Sequence, residues 1–236
     1  MNRGRSLALA ALVAATLALA ACSTGTGGDR AATGTPSASP MAASPTSASP
    51  STAPLPSSKQ LAAALPAHGD VPSGYTKQDG GVSDSGTTTK PAGCATATNA
   101  MGQVDHAAQA EVAYADTDKG LLYGVGVYAF REGPGNLLDQ AGTALRKCAR
   151  YTATDPDGTT STVTLEKASF PKLGDDRVAF QREAKGDAGI TLGMTVAYLS
   201  VGHCGVFVAA GGVSGANSAL AQQAARATVD KLHKIC

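Results

Sequence analysis

Ile190-Thr191-Leu192-Gly193-Met194-Thr195-Val196-Ala197-Tyr198-Leu199-Ser200-Val201, then Gly202-His203, then Cys204-Gly205-Val206-Phe207-Val208-Ala209-Ala210, is the stretch that decides the fold class. Ile190, Leu192, Met194, Val196 and Tyr198 alternate with their neighbours along one strand, and Cys204, Val206, Val208 and Ala210 do the same along the next. Two such runs joined by a short glycine-containing turn predict an antiparallel hairpin. Downstream, Gly211-Gly212-Val213-Ser214-Gly215 turns the chain into a final helix whose apolar positions Ala221, Ala225, Val229, Leu232 and Cys236 recur at helical spacing, which puts Cys236 on a buried stripe.

Upstream, the same reasoning gives a second strand pair, Ala110 to Asp116 and Leu121 to Arg131, joined by Thr117-Asp118-Lys119-Gly120. Leu121, Tyr123, Val125, Val127 and Ala129 share one face of its second strand. Gly124 and Gly126 on the other face predict close packing, with the next helix expected there. Pro134 opens that helix, in which Leu138, Ala141, Leu145 and Cys148 form one apolar stripe, so Cys148 faces the core. Strands follow over Thr160 to Phe170, after the Pro156-Asp157-Gly158 turn, and over Arg177 to Glu183. Ser57 or Ser58 caps a short helix over Lys59 to Leu65, stopped by Pro66. Val71 to Tyr75 reads as a turn, Gly80 to Gly93 as a loop, and Cys94 to Met101 as a helical turn. The expectation is an α+β domain: an antiparallel sheet of about five to six strands with two main helices packed on it.

The N-terminus sets the address. Arg3 and Arg5 precede an apolar run from Ser6 to Leu19, a secretory signal pattern. That run is shorter than the ~20 apolar residues a membrane-spanning helix needs, and Ser23-Thr24-Gly25 follows it in place of a basic cluster. Leu19-Ala20-Ala21-Cys22 resembles the lipobox of bacterial lipoproteins, which implies cleavage before Cys22 and a diacylglyceryl group on its sulfur. Two acyl chains anchor stably where one does not, so the membrane would be the first partner and its outer face the location. Residues 1–21 are thus read as the signal peptide. Residues 22–58 are the lipidated cysteine and a disordered Ser/Thr/Pro/Ala tether, and 59–236 the extracytoplasmic domain. From Ser23 to Ser58 Asp29 and Arg30 are the only charges, so the tether cannot bury a core. Such a coil reaches roughly 30–36 Å.

Losing Arg3 and Arg5 turns the formal net charge of +1 into −1, which offers nothing to nucleic acid. With Cys22 assigned to lipid, the other four of the five cysteines, Cys94, Cys148, Cys204 and Cys236, are read as two disulfides of an exported domain. Since both helix-borne cysteines are placed inward, Cys94–Cys148 with Cys204–Cys236 is the preferred one of three pairings. No CxxC occurs and His68, His106, His203 and His233 are scattered, so no metal site is expected.

The search for chemistry ends in turns and caps. Gly212-Val213-Ser214-Gly215 approaches a nucleophile elbow, but Ala216 stands where G-x-S-x-G needs glycine, and Ser214 reads as a helix cap. The same turn lacks the lysine of a phosphate loop. His106 and Glu111 are not spaced as H-E-x-x-H, Asp175-Asp176 reads as a solvated turn, and Asp155 to Gly158 lacks the remaining ligands of a calcium loop. No catalytic residue and no cofactor are assigned.

Taken together, the lipobox, the tether, Leu65-Pro66, Pro72-Ser73-Gly74-Tyr75, the helix end Leu145-Arg146-Lys147-Cys148 and the Val201-Gly202-His203 turn resemble lipoproteins of high-GC Gram-positive bacteria. Those are similar to the extracellular sensor-like domain of mycobacterial receptor kinases. The resemblance covers most of residues 60 to 236 and implies two disulfides and a sheet with helices around a ligand cleft. The leading expectation is a non-enzymatic, surface-anchored module that binds a small molecule, a cell-wall fragment or a partner protein. The alternatives are a wall-associated hydrolase and a structural envelope protein. A concave apolar pocket favours binding, whereas a buried carboxylate or a Ser/His contact in the cleft favours the enzyme. Expressed in its host, the protein is expected to partition into detergent and to lose that behaviour in Cys22→Ala. A variant that still partitions would refute lipidation at Cys22.

Overall fold

The computed structural model describes residues 54–79, 87–94 and 104–236. Cys22, the signal segment, the tether through residue 53, and the helical turn expected over Cys94 to Met101 from Ala95 onward lie outside the described residues; Ser58, expected to end the tether, is the first residue of a helix. The ten strands among the described residues belong to one antiparallel sheet. They are β1 (Thr76–Gln78), β2 (Thr88–Lys90), β3 (Ala108–Asp116), β4 (Leu121–Ala129), β5 (Arg150–Thr154), β6 (Thr160–Lys167), β7 (Arg177–Gly186), β8 (Thr191–Val201), β9 (Cys204–Gly212) and β10 (Gly215–Ala216). The helices are α1 (Ser58–Ala64), α2 (Gly135–Lys147) and α3 (Ser218–Leu232), with a 3-10 turn at His68–Asp70.

The antiparallel α+β class holds, but the sheet is nearly twice the expected width, and among the described residues three helices pack on it. The unforeseen strands are short or lack a boundary signal. β1, β2 and β10 have three, three and two residues, too few for any alternation to register. β2 lies inside the stretch expected to be a loop. β5 follows α2 so closely that no turn residue separates them.

The spatial order is β1-β3-β4-β9-β8-β7-β6-β5-β2, with β10 on β9. The chain therefore makes the β3–β4 hairpin, crosses on α2 to the far edge, and returns strand by strand until β9 pairs with β4. That pairing runs from Leu121 opposite Gly212 to Ala129 opposite Cys204. The predicted hairpin forms with Val201 opposite Cys204, and Gly202 takes a positive φ of 53° in its two-residue turn.

Both faces of the centre are covered, so β4, β8 and β9 are buried almost throughout. On one face α1 and α3 seal Tyr123, Val125, Val127, Val206 and Val208 beneath Leu61, Ala221, Ala225, Val229 and Leu232. On the other, α2 lays Leu137, Leu138 and Ala141 over Val163, Leu165, Phe180, Val196 and Tyr198.

Helix starts follow from local hydrogen bonds. Ser57 and Gln60 form a reciprocal capping box at α1, settling which serine caps it. At α3 the cap is Asn217, whose side chain accepts from the Leu220 N–H at 3.0 Å. Ser214 is not the cap, because β10 intervenes and Ser214 sits exposed in the turn between β9 and β10. The α3 helix ends at Leu232, so Cys236 lies beyond it, half-buried at the chain end, and not on the helical stripe.

The α2 helix lies on the expected face, in one apolar cluster with Tyr128 and Phe130, but it does not fill the space over Gly126. A Cβ on Gly126 would come within 2.8 Å of the Tyr128 ring, which folds back over it and fills the space the glycine leaves. The helix start instead approaches β9 at Gly205, where a Cβ would stand 2.8 Å from both Leu137 Cδ2 and Phe130 Cε2. Gly205→Ala is therefore expected to cost about 1–3 kcal/mol in urea unfolding; an unchanged midpoint would show that α2 shifts freely.

Candidate functional site

Two bridges tie the chain ends of these elements. Cys94 is bonded to Cys148 and Cys204 to Cys236, with Cα separations of 5.6 and 5.9 Å. Cys148 is buried directly after α2, and Cys94 follows edge strand β2, which pairs with β5. The second bridge fastens the C-terminus to the β8–β9 turn, where a Cβ on Gly202 would collide with the Cys236 carbonyl at 2.3 Å.

The C-terminal half of α2 overhangs the sheet and leaves a cleft of 680 Å³, within the ~300–1,000 Å³ typical of ligand sites. Gly142, Leu145 and Arg146 form its roof. Leu165 and Lys167 of β6 and Arg177, Val178 and Ala179 of β7 form the floor, and Ala168 to Phe170 close one side. Leu145, read from sequence as part of the buried stripe, is half-buried because it projects into this cleft.

The side wall is fixed by backbone bonding. The Ala168 N–H donates to the Ala179 carbonyl at 3.0 Å, and Arg177 Nε donates to the Phe170 carbonyl at 2.8 Å. The turn before Arg177 is pinned as well. Asp176 N–H donates to Ser200 Oγ at 2.9 Å, and the Asp175 carboxylate accepts from the Gly202 N–H at 2.7 Å. Asp175 and Asp176 are exposed, as the solvated-turn reading expects, and the Asp175 carboxylate with the Asp176 N–H also docks the β6–β7 connection onto the end of β8 and its turn.

Two other polar groupings stand apart from this cleft. A pocket of 300 Å³ lies between the turn after α1 and α3, lined in part by Asp70, Tyr123 and Gln223. Its Asp70 accepts from the Ala67 N–H at 2.9 Å and pairs with Lys231 at 3.4 Å, and these hold its carboxyl below the usual range. Lys231 also donates to the Leu65 carbonyl at 3.1 Å. The polar groups here seam α1 to α3.

The second grouping is Glu111, Tyr128 and His106. The Tyr128 hydroxyl donates to the Glu111 carboxylate, and the His106 ring meets the Tyr128 ring edge-on with centroids 5.2 Å apart. Glu111 is exposed on the strand surface, and partial desolvation beside the Tyr128 ring pushes its carboxyl above its ordinary value, opposed by the nearby His106. Sequence spacing had singled out this His and Glu only as a failed zinc motif. What joins them is the register placing Glu111 opposite Gly126, one pleat from Tyr128. Among the described residues no cluster of His, Cys, Asp or Glu is arranged to hold a metal ion, and no helix is long and apolar enough to cross a membrane.

No family model and no curated protein matches the chain. Among solved structures, the extracellular domain of PknH from Mycobacterium tuberculosis shares the fold, with a TM-score of 0.62 at 17% identity over 77% of this chain and 98% of that one. An uncharacterised protein of Mycobacterium smegmatis, the Rv0999 ortholog, aligns with a TM-score of 0.40 at 18% identity over 67% of this chain and 85% of that one.

A carboxyl whose folded pKa is raised is a stability cost when ionised, absent below the unfolded value and full above the folded one. Glu111→Gln should therefore melt higher than the parent at pH 7, with the gap closing by about pH 3.5. A constant difference across that range would show that Glu111 is not desolvated.

Proposed function

We propose that the chain is an exported protein, lipid-anchored through Cys22 on the outer face of the cell membrane. Its domain, residues 59–236, is a non-enzymatic ligand-binding module of the sensor-like kind. The cleft under α2 is the observation that carries the binding reading: it is concave, of ligand size, partly apolar and walled by hydrogen-bonded backbone. Support for the location comes from Leu19-Ala20-Ala21-Cys22 after its apolar run, and from two disulfides, which persist in oxidising compartments. The fold shared with the extracellular domain of a receptor kinase fits the same picture.

A second reading, a wall-associated hydrolase, draws on the Glu111 carboxyl with its raised pKa beside Tyr128 and His106. Raised carboxyls are what general acids use. Glu111 and Tyr128 sit on the β3–β4 hairpin with His106 just before it, and none of the three lines the cleft, whose side chains among the described residues include neither carboxylate nor imidazole. Substrate held in the cleft would thus lie away from Glu111, which favours binding.

The test is a thermal-shift screen of envelope metabolites and glycans on soluble protein carrying Cys22→Ala, repeated with Ser169→Trp. Ser169 is an exposed cleft residue, and an indole there fills the space without touching the core. A compound that raises the melting temperature of the first protein and not of the second is the expected result. If nothing shifts the melt, or if hits survive the Trp, the cleft is not the site. Turnover of a wall fragment that is lost in Glu111→Gln would establish the hydrolase.

A further inference from the structure

The cleft gathers positive charge that the rest of the structure leaves unanswered. Arg146 comes from α2, Lys167 from the end of β6 and Arg177 from the start of β7. Among the described residues none of the three makes an ion pair; the pairs present are Lys119–Asp116 and Lys231–Asp70, elsewhere on the molecule. Asp176, the carboxylate next in sequence, accepts the Arg177 backbone N–H at 2.7 Å. Arg177 is half-buried, and its Nε is committed to the Phe170 carbonyl at 2.8 Å, so the guanidinium is held in place with its terminal nitrogens unused among the described residues. Arg146 spends one nitrogen on Thr143 Oγ1 at 3.0 Å. Between these cations lie Leu145, Leu165, Phe170 and Val178.

Three like charges around one concavity raise its potential and draw in counter-charge. Arginine forks match the oxygens of a phosphate, and lysine serves as a point charge beside them. Apolar walls between the cations add burial for a hydrocarbon part. We infer that the cleft takes an amphiphilic phosphoester, its phosphate met by Arg146, Lys167 and Arg177 and its apolar part lying on Leu145, Leu165 and Val178. The inference rests on the cleft being the binding site and assigns the chemistry of its ligand. Such a group reaches an exported protein either as a lipid headgroup or as a soluble phosphoester.

The probes are dihexanoylphosphatidylglycerol, dihexanoylphosphatidylcholine and glycerol 1-phosphate, each below any micelle threshold, titrated by calorimetry into the Cys22→Ala protein. The anionic short-chain lipid is expected to bind, with the zwitterionic lipid and glycerol phosphate each at least tenfold weaker. Arg177→Gln and Lys167→Gln should each weaken it about tenfold, the loss of one charge-assisted hydrogen bond. Lys167 is exposed, so its variant keeps the test valid if Arg177→Gln fails to fold. Equal binding of the two lipids, or unchanged affinity in Lys167→Gln, overturns the charge assignment. Glycerol phosphate binding as tightly as the anionic lipid overturns the apolar part and points to a soluble source. A neutral compound displaced by Ser169→Trp, with no lipid bound, would refute this ligand class while leaving the cleft as a binding site. Lipid binding unaffected by Ser169→Trp would refute both.

Discussion

The pairing of β4 with β9 is the constraint on which the rest of the molecule depends. It joins residues 121–129 to residues 204–212, so forming it closes a loop of some 75 to 90 residues and must be offset by what the two strands then bury. Both faces of the pair are covered, which is why Val125, Val127, Val206 and Val208 are fully enclosed and why small residues, Ala209, Ala210 and Gly205, recur between them. With that seam in place, the crossover from β4 to β5 has one face to run across. That crossover is α2, and the cleft is the space it leaves at its far end.

The long strands were legible because each carries enough alternation to fix its faces. The two hairpins, β3–β4 and β8–β9, follow from residues alone, and so do α2 and α3. What stayed hidden has one physical character: it is decided by partners distant in sequence. β2 exists because Thr88 to Lys90 finds β5, more than sixty residues away, and β5 itself is an alternating Tyr151 and Ala153 with no turn to announce it. The helix caps divide the same way. Ser57 is local and readable, whereas Asn217 replaces Ser214 only because a two-residue strand pairs back onto β9 first. The Cys236 reading failed for a related reason: periodicity places a residue on a face but does not say where the helix stops.

The cleft was still less legible. Arg146, Lys167 and Arg177 are spread over three elements and share no motif; each alone is an ordinary surface cation. The one local hint is Leu145, an apolar residue at a stripe position that nevertheless remains half-exposed, and exposure is not a property of sequence. The Glu111–Tyr128 contact is similar, since it depends on a glycine opposite Glu111 that lets the tyrosine ring fold across the strand.

Position and rigidity of the cleft follow from how α2 is held. At its start, Leu137 packs closely on β9 at Gly205, where a Cβ would stand 2.8 Å from it; at its end, Cys148 is bonded to Cys94. A bridge spanning 54 residues contributes on the order of 4 kcal/mol by restricting the unfolded chain, and here it also fixes the roof two residues from Arg146. The opposite wall, Ala168 to Phe170, is bonded to β7 at both ends, once through the Ala179 carbonyl and once through Arg177 itself. Neither wall has to be ordered when a ligand arrives. Ordering loops and side chains is a large part of what binding costs, so a cleft built this way needs only modest contacts to hold a small molecule. The same bonds that make the floor rigid set the Arg177 guanidinium in advance, so its charge belongs to the folded domain and not to an induced fit.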